Sequence, residues 1–325
     1  MSSGTAVREG IYKIDAVRRF MRWVEATPHP LVAFEISPEQ VAGVRFGRAG
    51  SHVAYDIEPL PKGAIVPSAI ESNMANITAV KAAVAKVCEA LGAKDEDVAL
   101  LVPDPVIRVF VQHFDEFPRS ADEAIPMLRW KLKKSVPFEV EETLLSYMRQ
   151  APKAEGVDVV TAIARLRIVK EYESVLEEAG LRPGVVLSTT LAAVSLLEDQ
   201  KPTLLARVAG TSLTTAIVRE GVLAGYRCTE LPVHTDALTP HLLLEEIYPL
   251  AAYYQDTWQE GIQAVRVAGL GNRLPEFVRP LEEEFKCSVR SLLSAAISDG
   301  NLRAEARPLA DHELEGLVGW MLQQS

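Results

Sequence analysis

The residues best placed for chemistry lie between Leu204 and Gly221, which read LLARVAGTSLTTAIVREG. An apolar strand, a turn of small and hydroxyl residues and a second strand ending at Gly221 outline a hairpin whose backbone N–H groups cradle a phosphate. Arg207, however, closes the first strand where a metal–nucleotide site needs a carboxylate. A second glycine-bearing turn, GLGN at 269–272, follows a strand and precedes a helix. That is where an anion meets a helix N-terminus, although such a turn taken alone more often serves close packing of strand on helix.

Other chemistries find little purchase. There is no GxSxG elbow, no Walker A lysine and no HExxH pair. His29, His52, His113, His234, His241 and His312 are scattered without a motif. Cys88, Cys228 and Cys287 lie far apart with no CxxC, which suits reduced thiols better than disulfides or zinc. The pairs Glu141–Glu142 and Glu245–Glu246 fall in helical or helix-start text, where a solvated face accounts for them. Across 325 residues the net charge is −10, which argues against a general nucleic-acid binder. No apolar run approaches the roughly 20 residues of a membrane span, and the first fifteen residues lack the apolar core of a signal peptide.

The elements that must hold these turns alternate between strand and helix. LVAFEIS, QVAGVRFG and HVAYDIEPLP read as an antiparallel meander, ITAVKAAVAKVCEALG as a helix stopped at Gly92, and DVALLVP as a buried strand. VIRVFVQHF, the capped helix SADEAIPMLRWKLKKS, ETLLSYMRQ, DVVTAIARL and RIVKEYESVLEEAG make a compact β-α-β-β-α block. VVLSTTLAAVSLLED returns to the first unit. After the second hairpin, LLLEEIYPLAAYYQDTW is helical text in which Pro249 should kink or break the helix. A strand, the glycine turn, a helix, the short strand SVRSL and a terminal helix, DHELEGLVGWMLQQ, complete the chain. The first 27 residues carry an amphipathic helix near 10–25; Arg8, Lys13, Arg18, Arg19 and Arg22 against Glu9 and Asp15 give 5 − 2 = +3 over residues 8–24. This fits an accessory contact with anionic lipid or an acidic partner.

In their order, LVAFEISPEQVAGVRFG, EPLPKGAIVPSAI, SVPFEVEETLLSYMRQ, the hairpin at 204–221, AVRVAGLGNRLPEF and GLVGWML resemble the PilM family of type IV pilus assembly proteins, related to FtsA. The resemblance runs from about Leu31 through nearly the whole chain; LPKGAIV and VPFEVEE are its most specific pieces. It implies an α/β, actin-like (ribonuclease H-like) fold: a first lobe over 28–202 with an FtsA-like small subdomain at about 103–183, and a second lobe over 203–325. It also implies a cytoplasmic scaffold of a type IV pilus or related secretion machine, peripheral to the inner membrane, that binds the N-terminal tail of a PilN-like membrane protein and meets motor or sister subunits. The tail is expected between the first lobe and the small subdomain, with Val106, Arg108, Phe110, Leu128 and Trp130 as contacts.

The departures concern the nucleotide. The family's first phosphate hairpin begins Asp-Ile-Gly, where this chain has Glu35, Ile36 and Ser37, then Pro38, which offers no N–H donor. At the second hairpin the same positions hold Arg207, Val208 and Ala209, followed by Thr211, so the charge is reversed. The third motif survives in part as Gly269 and Gly271. A short connection before it implies a reduced fourth subdomain. These substitutions favour a pseudo-ATPase scaffold with no expected cofactor. Mg-ATP belongs to the alternative, an actin-like ATPase with a divergent site; a sugar-kinase-like enzyme ranks last. Arg207 is expected either to hold bare anion or to pair with Glu35 across the cleft.

Overall fold

In a computed structural model, which describes residues 30–47, 54–150, 156–197, 200–299, 307–310 and 312–322, two five-stranded sheets repeat one topology. The first begins with β1 (Val32–Ile36), buried along its whole length because both its faces are covered. It pairs antiparallel with β2 (Gln40–Arg45), which pairs with β3 (Ala54–Pro59), as the alternating text requires. Helix α1 (Ile77–Leu91) starts where Asn76 accepts the Ala79 N–H at 3.1 Å and stops at the left-handed Gly92. Its Val80, Val84, Val87 and Leu91 are buried. β4 (Asp97–Val102) then runs parallel to β1.

The small subdomain follows. β5 (Arg108–Phe114), helix α2 (Ala121–Leu132), β6 (Thr143–Arg149) and β7 (Val157–Arg165) form an antiparallel sheet in the order β5-β7-β6, with α2 on one face. The Ser120 hydroxyl accepts the Glu123 N–H at 3.3 Å, and Ala124, Leu128 and Leu132 are the buried stripe of α2. Helix α3 (Leu166–Glu178) leads back to β8 (Arg182–Ser188), parallel to β4, and to the short α4 (Thr189–Ala193). The first sheet is therefore β3-β2-β1-β4-β8.

The second sheet repeats that plan with β9 (Thr203–Ala209), β10 (Ser212–Arg219), β11 (Val222–Glu230), β12 (Ala264–Ala268) and β13 (Ser288–Ser291), in the order β11-β10-β9-β12-β13. β9 thus stands where β1 stands in the first sheet. Helices α5 (Pro240–Trp258) and α6 (Leu274–Phe285) supply Leu243, Ile247, Tyr254, Phe277 and Leu281 to a core on one face of this sheet. Of the kink or break expected at Pro249, the break does not occur: α5 continues through it. Buried Ile247 precedes that proline and buried Leu250, Ala251 and Tyr254 follow it, so one apolar face spans the missing backbone bond. Each such side chain contributes about 1.5–3 kcal/mol of burial, enough to offset the roughly 3 kcal/mol cost of an internal proline.

Three short helices close the chain: α7 (Leu292–Ser298), α8 (Arg307–Ala310) and α9 (Glu315–Leu322). Every residue of α9 is buried. It lies against α4 with backbone close to backbone, because a Cβ on Gly319 would stand 2.3 Å from the Ala192 carbonyl oxygen. The Ser195 hydroxyl donates to the Gly319 carbonyl at 2.7 Å across the same contact. The main core joins Phe34, Leu100 and Trp320 to Leu205, Ala216 and Tyr226 of the second sheet, so the lobes share apolar packing. The N-terminal segment, residues 1–27, lies outside the described residues. Among the described residues, no helix is long and apolar enough to cross a membrane.

Candidate functional site

Four ionisable side chains converge where the two lobes meet. Glu35 sits near the end of β1 and Arg207 near the end of the equivalent strand β9. Asp104 opens a single 3-10 turn, Asp104–Val106, just beyond β4, and Glu315 opens α9. Arg207 Nη1 is 3.4 Å from Asp104 Oδ2, and Nη2 is 3.6 Å from Glu35 Oε1.

Asp104 is the hub. Within the first lobe it accepts the Thr190 backbone N–H at 2.8 Å and the Thr190 hydroxyl at 2.5 Å. From the second lobe it accepts the Thr214 hydroxyl at 2.9 Å, the Tyr226 hydroxyl at 3.4 Å and the Arg207 guanidinium. A buried carboxylate with this many donors is held in one place, and it ties the lobes together.

Burial opposes the charge on Arg207, yet Asp104, Glu35 and Glu315 hold its pKa above the ordinary value. Burial pushes Glu35 up to about 7, while Arg207 and the Leu317 backbone amide pull it back and Asp104 pushes further. Glu315 is likewise raised to about 7 by burial, against the pull of Arg207. Three carboxyls thus surround one permanent cation, and two of them hold protons up to neutral pH.

Above this cluster lies a cleft of about 340 Å³ lined in part by Ser37, Pro38, Ala209, Gly210, His234 and Gly269. Of the nucleotide positions marked in the sequence, Glu35, Ser37, Arg207, Ala209 and Gly269 line it; Thr211 is exposed at the hairpin tip and Gly271 faces Glu313. Ser37 spends its hydroxyl on its own turn, accepting from Glu39 N at 3.3 Å and Gln40 N at 3.1 Å. Those are backbone donors that a phosphate would need. Gly269, at φ +77°, is required by packing, since a Cβ there would fall 1.8 Å from the Val208 carbonyl oxygen. A magnesium-bound triphosphate does not fit these residues: a guanidinium already stands between the carboxylates that would face the hydrated metal. Among the described residues no three His, Cys, Asp or Glu side chains are grouped to hold a metal ion.

Asp104, Glu315, Thr190, Thr214 and Tyr226 are absent from the sequence-derived candidates. The one signal for Asp104 was its place in VPDPV, at the carboxyl end of a parallel strand, where α/β folds put functional side chains. The proposed partner contacts need correction. Val106 and Leu128 are fully buried and present nothing to a partner. Phe110 is packed on the subdomain core, and β5 runs beside β11 of the second lobe. Arg108 is half-buried, and Trp130, 79% exposed, is open to solvent.

A family model described as type IV pilus assembly protein PilM matches residues 36–207. The chain is similar in structure to the solved PilM-PilN type IV pilus biogenesis complex, with 17% identity, 91% of this chain and 98% of that chain covered, and a TM-score of 0.67. It is also similar to a Bacteroides thetaiotaomicron protein of actin-like ATPase fold and unknown function, with 10% identity, 82% and 91% coverage and a TM-score of 0.50. No curated protein matches the sequence. The fold is that of the actin-like ATPases.

Proposed function

This chain belongs to the PilM family of type IV pilus assembly proteins, and from that premise we propose that it is a cytoplasmic, membrane-peripheral scaffold that binds the tail of a PilN-like inner-membrane protein without hydrolysing nucleotide. The observation that carries the second half is the position of Arg207, 3.4 Å from Asp104 and 3.6 Å from Glu35. A cation built into the chain neutralises the carboxylates and draws the lobes together, work that a metal and nucleotide do in an active member of this fold.

The partner's tail is assigned to the seam between the first lobe and the small subdomain. There the backbone carbonyl of Ile70 accepts from Arg165 at 2.9 Å and from Arg167. Glu171 accepts the Asn73 N–H at 2.7 Å, and the Tyr172 hydroxyl donates to the Asn73 side chain at 2.9 Å. These bonds fix the 61–76 loop to α3 and leave Val66 and Leu166 exposed as apolar anchors for an extended segment. Contacts with motor or sister subunits would use the remaining surfaces.

Calorimetry on the full chain tests both halves. A synthetic tail peptide of a PilN-like protein should give a saturable heat, and Mg-ATP should bind no tighter than about millimolar. Micromolar Mg-ATP affinity that disappears in Glu35→Ala would overturn the pseudo-ATPase assignment.

A further inference from the structure

Among the described residues six strands form the edges of the three sheets, and five of them are blocked against further pairing. β3 ends in Pro59, is covered by α1, and has Glu58 tied to Lys86 at 2.7 Å. β8 contains Pro183 and Gly184, and its register slips against β4 between Val98 and Ala99. β13 is four residues long. β5 and β11 lie beside each other, and the Gln150 side chain occupies the β11 edge, donating to the Leu223 carbonyl at 2.7 Å and accepting the Leu223 N–H at 2.8 Å. On β6 such a contact reaches only the first residue, where Arg129 donates to the Thr143 carbonyl at 3.1 Å. The strand runs seven residues, TLLSYMR, without proline, glycine or register shift.

The direction of its free backbone groups follows from the register. The Gln150 N–H donates to the Asp158 carbonyl at 2.8 Å, extending the β6–β7 pairing that runs from Thr143↔Arg165 to Arg149↔Val159. Even-numbered residues therefore turn their backbone groups to β7. Thr143, Leu145, Tyr147 and Arg149 turn theirs outward, and the Thr143 carbonyl is indeed taken at 3.1 Å by Arg129 from outside the ladder. An open groove of about 600 Å³, lined by Arg119, Ala121, Ile125 and residues 145–149, runs beside this edge.

We propose that β6 is a self-association edge, on which a second copy of the chain adds its own β6 antiparallel about a twofold axis at Ser146. The strand is complementary to itself in that register. Leu145 opposes Tyr147 of the second copy, two half-buried side chains that meet on one face; on the other, exposed Leu144 lies across from Met148, which is already buried in its own core. Thr143 opposes Arg149, which donates to the Phe117 carbonyl at 3.3 Å, and Glu141, 3.5 Å from Lys133, lies diagonal to it as an exposed carboxylate. Leu145 and Tyr147 then exchange backbone bonds with Tyr147 and Leu145 of the second copy while the Thr143 carbonyl stays with Arg129, and Ser146 meets Ser146 in the close, unbonded position. A basic residue at one end and acidic residues at the other favour this twofold pairing over a strand of unrelated charge. The inference is independent of the nucleotide cleft and of the tail seam.

The test is the mass of the full chain by sedimentation velocity from about 5 to about 200 µM. A monomer–dimer equilibrium is expected, and Ser146→Cys should form an intermolecular disulfide under mild oxidation, because the opposed Cα atoms stand about 4.5 Å apart. Ser146→Asp and Ser146→Lys each place like charges face to face at an exposed position. Each should weaken the dimer on the order of tenfold or more, and an equimolar mixture of the two should restore it. A chain that stays monomeric throughout, or a dimer indifferent to both charge variants, overturns the proposal. So does loss of tail-peptide binding in both variants with no change in mass, which would give the edge to the tail instead.

Discussion

Asp104 Oδ2 and Arg207 Nη1 lie 3.4 Å apart, one just beyond a strand of the first lobe and the other on a strand of the second. Asp104 is buried and the Arg207 side chain is only 11% exposed, so water screens neither charge well, and each is tolerable chiefly because the other is present. The two partners are not equivalent, however. Arg207 cannot shed its proton, whereas the neighbouring Glu35 and Glu315 can each take one up near neutral pH.

That asymmetry orders the variants. Asp104→Ala strands a permanent cation and leaves the donors of Thr190, Thr214 and Tyr226 unmatched; it should cost about 3–5 kcal/mol. Arg207→Met leaves carboxyls that protonation relieves, and should cost less than half as much at pH 6. Urea unfolding monitored by circular dichroism reads both. Equal losses, or a greater loss in Arg207→Met, would contradict the assignment of Asp104 as the hub.

A second prediction concerns the terminal helix that delivers Glu315 to the cluster. Gly319→Ala puts a methyl group against the Ala192 carbonyl oxygen, a backbone atom that cannot swing aside. The helix must lift from α4, at about 1–3 kcal/mol. Trp320, fully buried in the same helix, should then become accessible to acrylamide. Unchanged quenching with unchanged stability would mean that α9 has room the packing does not suggest.

At the tail seam, Val66→Asp and Leu166→Asp alter exposed side chains and should leave the melting temperature within about 1 °C, in line with surface substitutions. Each should weaken a PilN-like tail peptide by roughly tenfold through lost apolar contact and a desolvated charge. Fluorescence anisotropy with a labelled peptide measures it. Full affinity in the double variant would move the tail elsewhere.

The strands and helices were legible because their signals are local. Continuous apolar text marked β1 and β4, the Ser120–Glu123 spacing marked α2, and Gly92 marked the end of α1. Pro249 does not break α5 because a proline's cost is local while the apolar face that outweighs it is tertiary. The charge reversal at Arg207 could be read from the hairpin alone. Its partners Asp104 and Glu315 could not, since they lie 103 and 108 residues away and only folding brings them to the same guanidinium. Leu128 and Val106 were mistaken for surface because an alternating strand and an amphipathic helix do not say which face is already occupied.

The cluster also predicts how stability depends on pH. Glu35 and Glu315 are both raised from 4.5 to about 7 by burial, so between those values the folded chain binds protons that the unfolded chain has released. Their contribution is therefore full below the unfolded value, falls as pH rises through the window, and is gone above about 7. At about 1.4 kcal/mol per pH unit for a fully responding carboxyl, the step from pH 6 to pH 8 should lower stability by about 2–3 kcal/mol for the two together, or several degrees in melting temperature. The Glu35→Gln/Glu315→Gln double variant isolates the two carboxyls, since it leaves every other titratable group in place and should lose most of the slope. In Arg207→Met the cation that lowers both carboxyls is gone, so the fall should extend to higher pH. Scanning calorimetry at pH 6, 7 and 8 on the three proteins decides it. A double variant with the parent's slope would show that these carboxyls do not titrate in the window, and that the buried cation is balanced by ionised partners throughout.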